Sequence, residues 1–210
     1  MKWIRIPKEN AQKPSAGTYK DWKPIIAKEG GYQCVYCAIG EASFGGTRNF
    51  HVEHYKPRSI YRELENEISN LFYACPVCNT FKGDSFPAEP VEDHSVGCYP
   101  NPSTTDYNEL FDIDLSLGIV GGKYTASRYL VVRLHLNRPQ LVLERRIVHT
   151  YARVKNARTY LRELLNRVIL TENKQKAVSL LARACFLLDD IAELNAQERK
   201  TRPYTADELR

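Results

Sequence analysis

Tyr19, Trp22, Ile25 and Ile26 recur at helical spacing and run into Gly30-Gly31, which reads as a helix and its stop. Residues 1–17, with Pro, Lys, Ser and Gly and no clear period, read as an extended arm. Phe50 and Val52 alternate with polar neighbours up to Pro57, the period-2 pattern of a strand, and the apolar run Leu71-Phe72-Tyr73-Ala74 fits its paired strand. A helix start is expected directly after it, at Cys75-Pro76. Residues 84–125 are rich in Pro, Asp and Gly and read as loop with a hairpin around Gly121-Gly122. From Ala126 the pattern is helical, and Pro139 separates a short helix from a long one. In the long helix Ile147, Tyr151, Val154, Leu161, Leu165 and Val168 fall on one apolar stripe, while Arg138, Arg145, Arg146, Arg153 and Arg167 lie on the other side. A last helix over about 172–196 has Val178, Leu181, Cys185, Leu188 and Ile191 as its expected buried face.

Composition narrows the class. Of the 210 residues 43% are apolar and 26% charged, which excludes a disordered or collagen-like chain. The longest wholly apolar runs, such as 129–132, fall far short of the roughly 20 residues needed to cross a bilayer, so no membrane partner is expected. The opening MKWIRIPKEN lacks the apolar core of a signal peptide. A cytoplasmic location is therefore expected, and the six cysteines are not expected to form a disulfide framework. The net charge of +5 is unevenly spread: residues 83–125 carry one basic and eight acidic side chains, residues 126–170 ten basic and two acidic. The basic stretch reads either as a polyanion contact or as the solvated face of a helix that offsets its acidic neighbour.

Two Cys-x-x-Cys pairs, Cys34/Cys37 and Cys75/Cys78, are the strongest local signal. Two intervening residues let one tight turn present both sulfurs, and two such turns complete a tetrahedral zinc shell. Four unrelated cysteines or a redox pair are the competing readings. A Cys₄ shell leaves no open position, so the zinc would be structural. Cys185 sits on an apolar helical face and is expected in the core; Cys98 has no evident partner.

Between the pairs lie Phe50-His51-Val52-Glu53-His54-Tyr55-Lys56-Pro57 and Asn70, with Asn79-x-x-Lys82-Gly83 following the second pair. A Glu beside a His at a strand end, with a carboxamide at a helix start, is a set that can hydrolyse a phosphodiester. Glu53 and Asn79 offer hard oxygen ligands suited to Mg²⁺ or Mn²⁺. His54 titrates near neutrality and suits a general base on water. Lys82 could hold a neighbouring phosphate, and Lys56 and Arg58 are further phosphate contacts. His51, two residues before Glu53 on a strand, shares its face and reads as a third metal ligand, a phosphate contact or a surface residue. Tyr55 and Tyr73 either stack on bases or pack. His94, His135 and His149 have no comparable context.

The order Cys-x-x-Cys, Glu-His-x-x-Pro, Asn-Leu, Cys-x-x-Cys-Asn-x-x-Lys resembles the HNH endonucleases with a ββα-metal finger. Glu53-His54 matches that family's Asp-His pair with Glu in place of the commoner Asp, Asn70 its middle Asn, and Asn79 its last ligand position. The resemblance implies His54 as general base, Glu53 and Asn79 on one divalent ion, Asn70 orienting the loop that carries His54, and four cysteines clamping the finger. The string Glu-His-Tyr-Lys-Pro through Lys82-Gly83 and Phe86-Pro87, with the later Leu136-Asn137-Arg138-Pro139 and Arg145-Arg146, resembles a narrower subgroup. That subgroup comprises bacterial nucleases of the retron-associated and Septu-like anti-phage type, which often work beside an ATPase partner.

The expected architecture is α+β: an arm and helix in 1–30, a zinc-stabilised nuclease finger in 31–90, an acidic connector in 91–125 and a helical subdomain in 126–210. The function expected is metal-dependent cleavage of nucleic acid, DNA favoured over RNA, with Arg146 and Arg153 on the substrate. The alternative is a zinc-stabilised subunit that binds nucleic acid or a partner protein without catalysis; it predicts loss of at least one of His54, Glu53 and Asn79, all of which are present.

Overall fold

Pro24, with its φ already suited to a first helical turn, opens helix α1 over Lys23–Glu29, and the Gly30 amide closes it on the Ile26 carbonyl. The computed structural model describes residues 2–8, 11 and 13–200, without the side chains of 194–200. Strand β1, His51–His54, pairs antiparallel with β2, Leu71–Ala74, in the register Glu53 opposite Phe72 and His54 opposite Leu71. All four residues of β2 are buried, since α1 packs across this ribbon. Helix α2, Pro76–Lys82, starts within two residues of β2 and lies against β1. The two strands and α2 make the expected ββα unit, and the chain as a whole is α+β.

The connector holds a short helix α3, Tyr107–Leu110, capped by the Asp106 carboxylate, and a hairpin of β3, Phe111–Asp114, and β4, Ile119–Gly122. The hairpin reverses one turn earlier than Gly121-Gly122 suggested. Asp114 Oδ1 accepts from the amides of Ser116 and Leu117, and Gly118 takes φ +74°, so the turn forms there. Gly122 instead serves close approach: a Cβ on it would lie 2.3 Å from the Arg128 amide of helix α4, Thr125–Arg133.

Pro139 opens α5, Pro139–Ile169, whose 31 residues span about 46 Å at 1.5 Å per residue. A four-residue link leads to α6, Lys174–Lys200, which packs back along α5. The apolar stripes expected on these helices are only partly buried. Leu141, Val142 and Leu164 are buried on α5, and Leu180 and Ala184 on α6, whereas Tyr151, Leu165, Val178, Leu181, Leu188 and the core-assigned Cys185 are exposed. Two helices facing only each other bury a narrow seam, and a broad apolar face leaves its flanks at the surface. Arg145 also departs from expectation. It is buried, at 1% exposure, and donates to the carbonyls of Gly118 (2.9 Å) and Leu136 (2.6 Å). Burial pulls its pKa down to about 10, and the two carbonyls accept from its two terminal nitrogens.

One hydrophobic core runs from Trp3 to Leu141 through all four expected segments. Trp3 stacks on Phe111 at 5.0 Å, its indole donates to the Tyr36 carbonyl, and its backbone pairs with the Asn108 side chain. The N-terminal arm is thus a strap joining finger and connector. Tyr55 and Tyr73 belong to this core, their hydroxyls donating to the Tyr99 carbonyl and to Glu41.

Gly118 is the weakest point of tolerance, because a Cβ there would meet the Val142 carbonyl oxygen at 2.4 Å and φ is positive. Gly118→Ala is expected to lower stability by more than ~1 kcal/mol, read as a lower Tm in thermal unfolding.

Candidate functional site

The Cys34–Cys37 turn lies across from β2. Val35 donates its amide to the Tyr73 carbonyl, and Ala38 takes φ +57° as the chain folds back so that Cys34 bonds Ile39. Cys75 ends β2 and caps α2, its sulfur accepting from the Cys78 amide at 3.4 Å. The four buried sulfurs all lie within 4.8 Å of one another, with Cys37 and Cys75 at 3.8 Å. Zn–S bonds of about 2.3 Å imply tetrahedron edges of ~3.8 Å, so the cluster fits a tetrathiolate metal such as zinc. Burial pushes the Cys34 and Cys78 thiols up. Cys37 is held down despite its burial, by hydrogen bonds from the other three cysteines and by the Arg138 charge.

Arg138 was expected on the solvated side of a helix. Its guanidinium instead meets Cys37, Cys75 and Cys78 sulfurs at 3.4–3.6 Å. Burial works against its charge, but the three sulfurs outweigh that and hold its pKa above the ordinary value. Its local sequence gives no sign of this contact, since its partners lie 60 to 101 residues away.

β1 and α2 border a cleft of about 410 Å³ lined by Glu53, His54, Asn79, His51, Arg58 and Asp84 among others. The carbonyl of Glu65 lies 2.9 Å from His54 Nε2. A carbonyl only accepts, so Nε2 carries the proton and the free lone pair of the neutral ring is on Nδ1. Tyr19 packs edge-on to the ring at 4.7 Å. Burial holds the His54 imidazole below its usual value, so it is neutral at pH 7.

Glu53 is 3% exposed, and its Oε1 lies 2.6 Å from Lys82 Nζ and 3.2 Å from the donating Tyr36 hydroxyl. Burial raises the Glu53 carboxyl, while Lys82 and Tyr36 pull it back. Lys82, 1% exposed, also donates to the His54 carbonyl at 2.9 Å. This corrects the phosphate contact expected of it: the ammonium is directed inward and fixes the carboxylate.

Asn70 clamps the segment after His54. Its Oδ1 accepts from the Lys56 amide (2.8 Å), and its Nδ2 donates to the Lys56 carbonyl (3.0 Å). Lys56 itself pairs with Glu89, and Arg58 with Glu65 and the Tyr19 hydroxyl. His51 is exposed at the cleft, and partial burial with nearby Lys23 lowers its pKa. Lys20 and Lys23 also line the cleft; they sit just before and at the first residue of α1, at a spacing that carried no signal in the sequence. Arg146 is half-buried beside Gly118, Arg153 is exposed on α5, and neither lines the cleft.

Residues 34–85 match the family model HNH endonuclease. The match spans both cysteine pairs, β1, β2 and α2, and so coincides with the finger and its cleft. No curated protein and no solved structure matches the chain. Among the described residues no helix is long and apolar enough to cross a membrane.

Lys82→Ala removes one partner of a buried pair and is expected to cost roughly 3–5 kcal/mol in chemical denaturation. A surface phosphate contact would instead leave stability unchanged.

Proposed function

We propose that the chain is a metal-dependent HNH endonuclease that hydrolyses phosphodiester bonds, DNA in preference to RNA, with His54 as general base. The observation that carries this reading is the fixed tautomer of His54: its proton is committed to the Glu65 carbonyl, which leaves Nδ1 as the basic nitrogen of a ring that lines the cleft. Glu53 and Asn79 line the same cleft and would hold one Mg²⁺ or Mn²⁺, since carboxylate and amide oxygens suit hard cations. Such an ion, when bound, supplies charge neutralisation at the phosphate and at the leaving oxygen. His54 Nδ1 takes a proton from water as the water oxygen bonds to phosphorus and the P–O bond to the leaving strand breaks. Lys82 and Tyr36 hold the Glu53 carboxylate in place, and Asn70 holds the loop that follows His54. Lys20, Lys23 and Arg58 supply positive charge at the cleft wall for the flanking phosphates.

Beyond the cleft, Arg153 is exposed on one side of α5, and Lys155, Arg158 and Arg162 line a groove of about 770 Å³ with Tyr151. These cations extend the phosphate track. The exposed Val178, Phe186, Leu188, Ile169 and Leu170 on the α5–α6 hairpin favour a partner protein on this arm. That agrees with the anti-phage resemblance and its ATPase partner, acting in the cytoplasm; co-purification of the two checks it.

His54→Ala is expected to abolish Mg²⁺- or Mn²⁺-dependent cleavage of plasmid while leaving bound zinc at one equivalent. Because burial lowers its pKa, the acid limb of kcat/KM is expected with a midpoint below about 6.5. Activity is then retained at pH 7 and falls as the medium is acidified through that lower midpoint. A His54→Ala chain that cuts as wild type refutes the mechanism.

Arg153→Ala with Arg158→Ala is expected to weaken DNA binding uniformly across sequences. The slope of log K against log salt should fall by about 2, as each lost phosphate contact removes about 0.9.

A further inference from the structure

The junction between α4 and α5 carries chemistry that the cleft does not use. We propose that Arg138 is an outer partner of the ion held by Cys34, Cys37, Cys75 and Cys78, so that the helical half of the chain is fastened to the finger through the metal's own sulfur ligands. Arg138 Nη2 stands 3.4 Å from Cys37 Sγ, 3.5 Å from Cys75 Sγ and 3.5 Å from Cys78 Sγ, and Nη1 stands 3.6 Å from Cys78 Sγ. One planar fork therefore reaches three of the four sulfurs. Cys34 is the exception, and its amide bonds the Ile39 carbonyl.

Charge explains the need. A divalent ion with four thiolates carries two net negative charges, and every sulfur here is buried. Such charge is costly away from water unless it is paired and hydrogen-bonded. The guanidinium cancels half of it and donates to the sulfurs in the same contact. No other charged group is hydrogen-bonded to these sulfurs among the described residues.

The backbone around Arg138 is fixed for this purpose. Asn137 bonds both the amide and the carbonyl of Val120 at 2.8 Å, which pins the junction to β4. Arg145 holds the Leu136 carbonyl from the other side. Pro139 fixes the turn into α5 immediately after. Arg138 also donates to the Leu134 carbonyl at 3.0 Å, so a role confined to ending α4 is the competing explanation.

Three measurements on the full chain decide between them, none of which depends on cleavage. In the wild-type protein, exchanging zinc for cadmium is expected to shift the Arg138 guanidinium NMR resonances more than those of Arg145, which is more deeply buried and bonded only to carbonyls. With zinc bound, R138Q is expected to release the metal to a chelator about tenfold faster or more, and R138K to fall between. With cobalt(II) as probe, the sulfur-to-metal charge-transfer bands of R138Q and R138K are expected to move from the wild-type position. An Arg138 resonance indifferent to the metal, or unchanged release and cobalt spectra in a folded variant, overturns the proposal and leaves Arg138 as a helix-ending residue.

Discussion

Four sulfur atoms gathered within 4.8 Å in the interior are the constraint on which the rest of the molecule depends. Two of them come from a turn ahead of β1 and two from the junction of β2 with α2. Bringing them together sets the height of β2, and through the Val35–Tyr73 bond the path of the first turn over it. β2 in turn fixes β1, because register pairs Glu53 with Phe72 and His54 with Leu71. A slip of one residue would turn each side chain of β1 to the opposite face and so take Glu53 away from Lys82 and Tyr36. The finger is too small to hold that register by apolar burial alone. A metal clamp, the α1 helix and the Trp3 strap supply what its own core lacks.

A second electrostatic decision sits one layer deeper. Glu53 and Lys82 form an ion pair with both side chains at 4% exposure or less. A lone carboxylate so buried would take up a proton, and a protonated Glu53 would be a poor ligand for a hard cation. Lys82 and the Tyr36 hydroxyl oppose that upward pull and keep the carboxyl group aimed. The same lysine holds the His54 carbonyl, so one ammonium positions both neighbours of the proposed reaction. This explains a lysine one helical turn after Asn79 without any contact to substrate.

The finger was legible because its signals are local. The Cys-x-x-Cys pairs, the alternation through Phe50 and Val52, the run 71–74 and the break at Pro139 each depend on neighbours a few residues apart, and the structure forms its elements there. The hairpin was misplaced by one turn because Asp114 captures two amides, and that outcompetes a Gly-Gly pair whose use is close packing. The burial pattern of α5 and α6 was not legible, since periodicity names an apolar face but not how much of it a partner covers. Lys82, Arg138 and Arg145 were misread for a shared reason. Charged side chains are ordinarily solvated, and only long-range contacts reveal that Lys82 and Arg145 are buried and that Arg138 is turned toward the sulfurs. Asp84 and the Lys20/Lys23 pair escaped notice because the fold, and nothing in their spacing, brings them to the cleft.

The internal arginines also change what the charge map means. The segment 126–170 has ten basic residues, yet Arg138 faces sulfurs and Arg145 faces carbonyls. Neither adds to the field that solvent or a polyanion meets. Exposed positive charge is left in two places: Arg128 and Arg133 on α4, which packs on the acidic hairpin, and Arg153 with the Lys155, Arg158 and Arg162 groove farther along α5. Charge that looked like a block adjoining its own counter-charge is sorted by the fold into two uses. Near the finger arginine stabilises buried negative centres, and farther out it remains available to phosphate. For the nuclease proposed above such a division would be an advantage, because affinity could come from the arm while geometry at the cleft is left to the proposed set Glu53, His54 and Asn79.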